Sequence, residues 1–317
     1  MVRPGGDERD SSRPEMSIGD SAGVANLPRM RCASGMPAIV WMNGTLCPAE
    51  EVQISPFDHG ITVGNGIFET MISHAGMPFA FTRHYRRLAK SAEAMGLSLR
   101  AADELKSALQ CVLTANKLEA GRARIRITVT GGPAPLGSER GKAGETTLVA
   151  ASALGEWGAT EDVIVVSYTR NEQGALAGLK TTSYGENVVA LARAREGGAG
   201  EAVFANTKGE LCEGTGSNIF LVSGGKLVTP PLSSGCLPGV TRALVLELCE
   251  REGVEVMEKS VPVTTLHEAA EAFLTSTTRE VQPIRAVDGL ELPRVPGVLT
   301  SRLREAFQRL VERESDP

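Results

Sequence analysis

Two kinds of hydrophobic spacing alternate along the chain and predict a protein of mixed strands and helices. Residues 122–130 alternate charged and β-branched side chains, which is typical of a half-buried strand. Residues 82–95 have the pattern of a helix that Thr82 caps and Gly96 ends, and residues 300–312 predict an amphipathic helix. Because the strands outnumber the helices and come in hairpins, the pattern indicates the α+β class with two mixed sheets.

The same signals predict the remaining elements. Further strands are predicted at 38–42, 67–73, 78–81, 146–151, 163–168, 202–206, 219–222, 226–229, 254–259 and 272–275. Further helices are predicted at 102–116, 186–196 and 242–251. The Asn43-Gly44 pair marks a turn after the first strand, and the His74-Ala-Gly segment closes a hairpin.

The composition divides the chain into an extension and two domains. Residues 1–36 are rich in Gly, Ser, Pro and charged residues without periodicity, which indicates a disordered extension. A start at Met16, Met30 or Met36 would shorten it, and the absence of an apolar segment excludes a secretory signal. We expect a small α+β domain over 37–152, a linker over 153–161 and a large domain over 162–317.

Charge and cysteine usage exclude several classes of function. The net charge of −5 and the pI of about 5.6 argue against a nucleic-acid partner, which demands a basic face. The apolar runs are far shorter than the ~20 residues that cross a bilayer. The six cysteines form no C-x-x-C pair, which favours reduced thiols and a cytoplasmic location. The four histidines are far apart, so no metal site is expected.

Lys180 is the first candidate for chemistry. The chain has few lysines, and this one lies in the uncharged stretch 173–185. An amine in apolar surroundings loses hydration, which lowers its pKa and makes it available for a Schiff base. The alternative is an ordinary loop lysine whose ammonium reaches water.

Two further segments predict an anion site. The sequence from Pro238 to Arg242 opens an apolar-periodic helix, and free N–H groups at a helix start bind phosphate well. The hydroxyl-rich segment 275–280 follows an apolar strand and suggests a second anion contact through Thr277. The alternatives are a helix capped by Thr241 and a capping box formed by Thr277 and Glu280.

Three charged residues complete the candidate site. Glu213 lies beside a glycine-rich segment, where a carboxylate could hold a protonated pyridine nitrogen. Arg124 and Arg126 share one face of a strand and could clamp carboxylates, although a solvated strand edge is the alternative for them. Together these features require a ligand with a phosphate, an aldehyde and a basic ring, which describes pyridoxal 5′-phosphate.

The chain resembles the class IV, or fold type IV, pyridoxal-phosphate enzymes. This family contains branched-chain aminotransferases, D-amino-acid transaminases and 4-amino-4-deoxychorismate lyases. The resemblance covers about 42–307 and is carried by motifs in the family's order. These are DHGITVGNGIFET at 58–70, HYRRLAKS at 84–91, LKTTSYGEN at 179–187, EGTGSNIF at 213–220, LPGVTR at 237–242 and TSTTRE at 275–280.

The resemblance implies a fold and a role for each matching residue. It implies a two-domain α+β enzyme with mixed sheets and flanking helices, a cofactor between the domains, and a homodimer. Lys180 would form the Schiff base and move protons, and Glu213 would protonate the pyridine nitrogen. The other cofactor-binding residues would be Arg87, Val240, Thr241 and Thr277 at the phosphate, Leu237 on the ring and Tyr184 at the phenolic oxygen. Arg126, and with it Arg124, would bind substrate carboxylates.

The resemblance also orders the candidate reactions. The D-amino-acid transaminases usually carry an Arg before the Gly that ends this strand, where this chain has Gly131 and Gly132. In the lyase, the residue matching Thr70 lies near the cofactor and helps proton transfer, so Thr70 would be catalytic. The leading expectation is 4-amino-4-deoxychorismate lyase, which makes 4-aminobenzoate and pyruvate. The alternatives are a class IV aminotransferase on D- or branched-chain amino acids and a non-catalytic phosphate-ligand binding protein. Asn65, where the family often has Asp, is a departure.

Overall fold

Short antiparallel hairpins build the first of two sheets. The computed structural model describes residues 38–317, and the extension expected over 1–36 lies outside them. The first sheet has the order β2-β1-β6-β5-β3-β4, with every neighbouring pair antiparallel. Its strands are β1 (Ile39–Met42), β2 (Thr45–Pro48), β3 (Gly66–His74), β4 (Met77–Pro78), β5 (Arg122–Thr130) and β6 (Thr146–Ala153).

The second sheet mixes parallel and antiparallel pairs. Its order is β12-β11-β10-β13-β14-β7-β8-β9, with β15 paired to β14, and β7 runs parallel to both of its neighbours. Its strands are β7 (Glu161–Arg170), β8 (Glu201–Asn206), β9 (Leu211–Gly214), β10 (Asn218–Ser223), β11 (Lys226–Thr229), β12 (Val256–Glu258), β13 (Ala272–Ser276), β14 (Glu280–Val287) and β15 (Leu290–Glu291).

The helices cover the faces of both sheets. Within residues 38–317 they are α1 (His59–Thr62), α2 (Phe81–Met95), α3 (Ala102–Ala115), α4 (Gly185–Glu196), α5 (Val240–Arg251) and α6 (Val298–Arg313). Three short 3₁₀ turns lie at Ala49–Glu51, Leu232–Ser234 and Val263–Leu266. None of the helices in this described part is long and apolar enough to cross a bilayer.

The alternation predicted for 122–130 places β5 between a core and a cavity. Ile125 and Ile127 are buried in a core that Leu88 of α2 and Leu109 of α3 complete. Arg124 and Arg126, which alternate with these isoleucines, project from the opposite face, as period-two side chains must. The first sheet therefore packs against the helices with one face at β5 and lines the cavity with the other.

The second sheet is buried on both sides. Phe220 and Phe273 pack with ring centroids 4.9 Å apart and belong to the core under α5 and α6. Ile219 and Leu274 belong to a separate core on the other side of the sheet, and α4 packs against β8 in a smaller cluster. Burial of both faces explains why these strands read as continuous apolar runs.

The segment that carries Lys180 pairs with the edge of β3. The Phe68 amide donates to the Lys180 carbonyl at 3.0 Å, and the Thr182 amide donates to the Gly66 carbonyl at 2.8 Å. These bonds join a loop that follows β7 of the second sheet to a central strand of the first. The two sheets therefore meet at Lys180.

The structure differs from the sequence prediction at several helix and strand ends. Thr82 lies inside α2 instead of capping it, and the capping residue Ala80 makes no side-chain cap. Thr277 and Glu280 form no capping box, because 277–279 is a turn between β13 and β14. Gly239 precedes α5, so Thr241 lies within the helix. Strands β2, β9, β14 and β15 and the short α1 were not predicted, and Phe81, predicted as the end of a strand, begins α2.

The two sheets come from successive parts of the chain. The strands of the first sheet lie within residues 39–153, and the first strand of the second begins at Glu161. We retain the boundary over 153–161 as a proposal. The five cysteines within the described residues are all free thiols, and three of them are buried.

A residue near the C-terminus caps α2 from outside. Asp316 accepts hydrogen bonds from the Thr82 amide at 2.9 Å and from its hydroxyl at 2.5 Å. We expect Asp316→Ala to lower the free energy of unfolding by about 1 kcal/mol, as the loss of a helix cap does. Urea unfolding measures the change. Glu314→Ala, which alters an exposed neighbour, is the matched control, and equal stability of both variants would contradict the capping role.

Candidate active site

A cavity of about 790 Å³ opens between the two sheets. Its walls come from β3 and β5 on one side, from the Lys180 segment, and from the loops that precede α5 and follow β13. Every residue that the sequence predicted for the site lines this cavity. These residues are Thr70, Arg87, Arg124, Arg126, Lys180, Tyr184, Glu213, Leu237, Val240, Thr241 and Thr277. Their roles stay predictions, while their convergence is a fact of the fold.

Lys180 projects into the centre of the cavity. Its Nζ lies 4.5 Å from the ring centroid of Phe68 and 5.9 Å from that of Tyr184. Burial, followed by the positive charge of Arg87, lowers the pKa of Lys180 to about 8. An amine in this range is available as a nucleophile near neutral pH.

A buried carboxylate fixes Arg87 at one end of the cavity. Glu69 Oε1 accepts from Arg87 Nε at 2.7 Å, and Glu69 Oε2 accepts from Arg87 Nη2 at 2.8 Å. Arg87 Nη1 donates to the Pro238 carbonyl at 3.1 Å. Burial alone would raise the pKa of Glu69, but Arg87 and His84 hold it well below its usual range. This fork sets the direction of the remaining guanidinium N–H groups.

The start of α5 lies at the same end. Its capping residue Gly239 has no side chain to occupy the free amides of the first turn. A Cβ at Gly239 would collide with Oδ1 of Asn218, whose Nδ2 donates to the Leu237 carbonyl at 2.8 Å. Asn218 therefore requires glycine here and holds the loop in place. The amides of Val240 and Thr241 remain available for an anion.

Glu213 lies at another part of the cavity and is paired with Arg170. Glu213 Oε2 accepts from the Leu237 amide at 2.8 Å, and Oε1 lies 3.3 Å from Arg170 Nε. Burial raises the pKa of Glu213, and Arg170 opposes that rise. Arg170 is held over the ring of Phe204 at 4.3 Å. The arrangement offers a largely buried carboxyl group to a basic ligand atom.

Tyr184 makes a contact that the sequence did not predict. Its hydroxyl donates to the Thr215 carbonyl at 3.1 Å, and burial raises its pKa to about 12. The ring packs edge-on against Phe68, with centroids 5.3 Å apart. A hydrogen bond from Tyr184 to a cofactor oxygen would require this hydroxyl hydrogen to turn away from Thr215.

The opposite wall presents arginines beside a threonine. Thr70 of β3 pairs in register with Arg126 of β5. The Arg126 guanidinium stacks 3.6 Å from the ring centroid of Phe68, and burial lowers its pKa. Arg124 follows on the same face of β5. Two cations on one wall suit a ligand with carboxylates.

Sequence reasoning missed four residues that position the predicted ones. They are Glu69, His84, Arg170 and Asn218, which hold Arg87, Glu213 and the loop before α5. A signal for Glu69 was present, because it alternates with Ile67 and Met71 on the core face of β3. A carboxylate on a core face demands a buried partner. No comparable signal marked Arg170.

The donor set fits pyridoxal phosphate. The free amides of α5, the Arg87 fork and the Thr277 hydroxyl form an anion end. The amine of Lys180 with its lowered pKa, and the Glu213 carboxyl group, supply partners for an aldehyde and a pyridine nitrogen. The phosphate, the aldehyde and the pyridine nitrogen of the cofactor therefore each find a matching residue in one cavity.

Comparisons with known proteins point to one family. The family model for amino-transferase class IV matches residues 66–287. A putative branched-chain-amino-acid aminotransferase of Methanocaldococcus jannaschii is 33% identical over 277 residues, which are 85% of this chain and 95% of that protein. The D-alanine aminotransferase of Bacillus licheniformis is 32% identical over 281 residues, 87% of this chain and 98% of that protein.

Solved structures agree with the sequence relatives. The T.th. branched-chain amino acid aminotransferase complexed with N-(5′-phosphopyridoxyl)-L-glutamate superposes with a TM-score of 0.80 at 27% identity. The superposition covers 87% of this chain and 94% of that one. The likeness confirms the α+β fold type IV architecture that the sequence predicted.

The lowered pKa of Lys180 gives a direct test of the cavity. In protein freed of cofactor, roughly half of Lys180 should be unprotonated at pH 8, against under ~1% for an ordinary lysine. Labelling with trace acetic anhydride across pH, read by mass spectrometry, should give a midpoint of about 8 for Lys180. The exposed Lys117 serves as the control. A midpoint for Lys180 that matches the control would contradict the geometry.

Proposed function

The chain belongs to the class IV aminotransferase family, and we propose that it transfers amino groups between carboxylate-bearing amino acids and keto acids. It is a pyridoxal-phosphate enzyme, since the family and its fold are shown by sequence and structure together. The non-catalytic alternative is therefore abandoned. This proposal uses Lys180, the anion end, and the wall of the cavity that carries Arg124 and Arg126, which we call the arginine wall.

Residues in different parts of the cavity would hold different groups of the cofactor. Arg87, the Val240 and Thr241 amides and the Thr277 hydroxyl would bind the phosphate. When bound, pyridoxal phosphate supplies an aldehyde for the Lys180 amine and a ring that withdraws electrons from the amino-bearing carbon of the substrate. The Leu237 side chain would pack against the ring.

Lys180 and Glu213 would then control the protons. The Lys180 amine, released when substrate arrives, would remove a proton from the amino-bearing carbon of the substrate and return it to the aldehyde carbon of the cofactor. Its pKa of about 8 suits both directions. Glu213, supported by the Arg170 cation, would keep the pyridine nitrogen protonated.

The arginine wall is the single observation that supports a carboxylate-bearing substrate. Arg126 and Arg124 face the cavity from β5, and the Arg126 guanidinium carbon lies 3.6 Å from the ring centroid of Phe68. An Arg in a fixed orientation recognises a carboxylate by two parallel hydrogen bonds. The solved relative with an L-glutamate adduct supports a dicarboxylic amino donor.

The lyase reaction becomes the second candidate. The relatives compared above are named for branched-chain amino acids and D-alanine, and this favours transamination. Thr70 favours the lyase, because it lines the cavity in register with Arg126. 4-Amino-4-deoxychorismate also carries two carboxylates, so the same arginines would bind it, and Lys180 would remove its ring proton with help from Thr70.

We propose that the protein works as a homodimer. Phe57, Ile61, Val63 and Leu136 are large apolar residues exposed on adjacent segments, with Ile61 63% exposed and Leu136 75% exposed. The Ala134 amide donates to the Phe57 carbonyl at 3.1 Å, which brings the two segments together. An exposed apolar cluster of this kind marks a protein interface, and a second copy fits the family expectation.

A cytoplasmic location is also proposed. All five cysteines within the described residues are free, and Cys111 among them is exposed. Exposed free thiols persist in a reducing compartment, whereas they oxidise or pair outside it. The observation supports the location that the sequence predicted.

Assays on the purified enzyme separate the two reactions. Amino acids of both configurations are supplied singly with a keto acid acceptor, and keto acid production is followed. We expect turnover with glutamate or aspartate as donor, and Arg126→Met should raise KM for that donor by about tenfold, or ~1.4 kcal/mol, because a charge-assisted contact is lost. Arg122→Met, on the same strand outside the cavity, is the control.

The assay also has outcomes that decide against transamination. Formation of 4-aminobenzoate from 4-amino-4-deoxychorismate, with no keto acid from any amino acid, would replace the proposal by the lyase. Lys180→Ala should abolish either activity. Residual activity in that variant comparable to the unchanged enzyme would contradict the whole assignment.

The interface has its own test. Ile61→Asp places a charge within the exposed apolar cluster, so it should weaken self-association. Light scattering coupled to gel filtration measures the molar mass. We expect a dimer for the unchanged chain and a shift toward monomer for the variant, while Val298→Asp, at an exposed residue outside the cluster, should remain dimeric. A monomeric unchanged chain would contradict the proposal.

A further inference from the structure

A buried group of side chains behind the anion end has no role in the chemistry described so far. Glu69 of β3 accepts from both Nε and Nη2 of Arg87, and its Oε2 lies 2.6 Å from Nδ1 of His84. Glu69 and His84 are 0% and 1% exposed. On its other side, His84 Nε2 lies 3.5 Å from the Thr277 hydroxyl, which lines the cavity.

The carboxylate determines which nitrogen of His84 carries hydrogen. Arg87 and His84 hold the pKa of Glu69 well below its usual range in spite of its burial, so the carboxylate is ionised and can only accept. Nδ1 of His84 must therefore be the donor of that bond. In neutral histidine the other nitrogen, Nε2, carries no hydrogen and accepts from Thr277.

We expect His84 to be neutral at pH 8 while the anion end holds no ligand, because this pH lies above the ordinary pKa of histidine. Burial lowers the pKa of His84, and the charges of Arg87 and Lys180 lower it further, against the opposing effect of Glu69. The groups that face it are Glu69 from β3, Arg87 from its own helix, Lys180 from the segment after β7, and Thr277 from the turn between β13 and β14. Glu69 affects the pKa of His84 more than Arg87 does, and burial has the largest effect.

A bound phosphate would change where the Thr277 hydroxyl hydrogen points, and with it the number of hydrogens that the His84 ring must carry. The dianion offers only acceptor oxygens, so Thr277 must give it the one hydroxyl hydrogen that otherwise points to His84. The Thr277 oxygen can then keep its contact with His84 only by accepting from Nε2–H. Since Nδ1 already donates to Glu69, both nitrogens would then carry hydrogen and the ring would be an imidazolium. Two added negative charges beside the ring favour the same outcome.

We propose that His84 takes up a proton at Nε2 when the cofactor's phosphate binds, so that Glu69, His84 and Thr277 act as positioning residues for the phosphate end. The proton comes from solvent and stays on the ring while the phosphate is bound. The inference rests on the proposed function, since it requires Arg87 and Thr277 to contact the phosphate. Phosphate affinity should therefore fall as pH rises through the pKa of His84 in the complex.

Calorimetry measures the proton directly. Pyridoxine 5′-phosphate, which has no aldehyde to react with Lys180, is titrated into protein freed of cofactor at pH 8. At this pH the phosphate group of the free ligand is already a dianion, because its second pKa is about 6. Binding heats in two buffers of different ionisation enthalpy give the number of protons taken up. His84→Gln and Thr277→Val should reduce that number by about one proton relative to the unchanged protein.

The control is His267→Gln, which alters an exposed histidine paired with Asp288 outside the cavity. It should leave the proton number unchanged. Equal proton numbers in the unchanged protein, His84→Gln and Thr277→Val would overturn the inference.

Nuclear magnetic resonance of the unchanged protein gives a reading that does not depend on the variants. The chain has only four histidines, so the ¹⁵N signals of His84 can be resolved and followed during titration with pyridoxine 5′-phosphate. We expect them to move from those of a neutral Nδ1–H tautomer to those of an imidazolium. Signals that remain those of a neutral ring at saturation would overturn the inference.

A separate measurement keeps the inference distinct from the proposed function. Pyridoxal phosphate is added to the protein, the product is reduced with borohydride, and the modified residue is located by mass spectrometry. An adduct on Lys180 together with a neutral His84 would reject the inference and leave the function standing. Absence of any adduct on Lys180 would reject the function itself.

Discussion

The pairing of a buried carboxylate with an arginine is the constraint on which the site depends. Glu69 is completely buried in β3, and its two oxygens are satisfied by Arg87 and His84, three residues apart on α2. Removing one partner of such a pair costs about 3–5 kcal/mol, because the other charge is left buried and unpaired. The position of α2 against the first sheet and the direction of the Arg87 guanidinium are therefore set by one interaction.

Strand β3 connects this interaction to the chemistry. Its odd-numbered residues Ile67, Glu69 and Met71 face the helices, while Phe68 and Thr70 line the cavity. Its edge pairs with the backbone of Lys180, and β5 aligns Arg126 with Thr70. The period-two alternation of β3 thus places Glu69, which orients Arg87, on one face of the strand. The other face lines the cavity beside Lys180 and Arg126.

The sequence predicted the site better than the network behind it. Lys180, Glu213 and Arg126 were recognisable because each is a charged residue in a setting that suggests chemistry. The contacts of Glu69 with His84, and of Arg170 with Glu213, span residues far apart in the chain, and no local pattern encodes them. Thr82 was wrongly predicted to cap α2 for the same reason. The cap is supplied by Asp316, which lies 234 residues away along the chain.

Strand β14 was missed for a different physical reason. It begins at Glu280 with a positive φ of 58°, directly after a hydroxyl-rich turn, and that segment reads locally as a helix start. Its pairing with β7 and β13 decides the conformation, and such pairing is non-local. The N-terminal extension and the domain boundary stay predictions of the sequence.

We infer that Glu69 acts on the bound cofactor through Arg87. A double-mutant cycle tests it by measuring the dissociation constant of pyridoxine 5′-phosphate for the unchanged protein, Glu69→Gln, Arg87→Met and the double variant. We expect each single change to weaken binding and the double variant to bind no more weakly than Arg87→Met, because both act through one guanidinium. Losses that multiply in the double variant would show two independent effects and would contradict the claim.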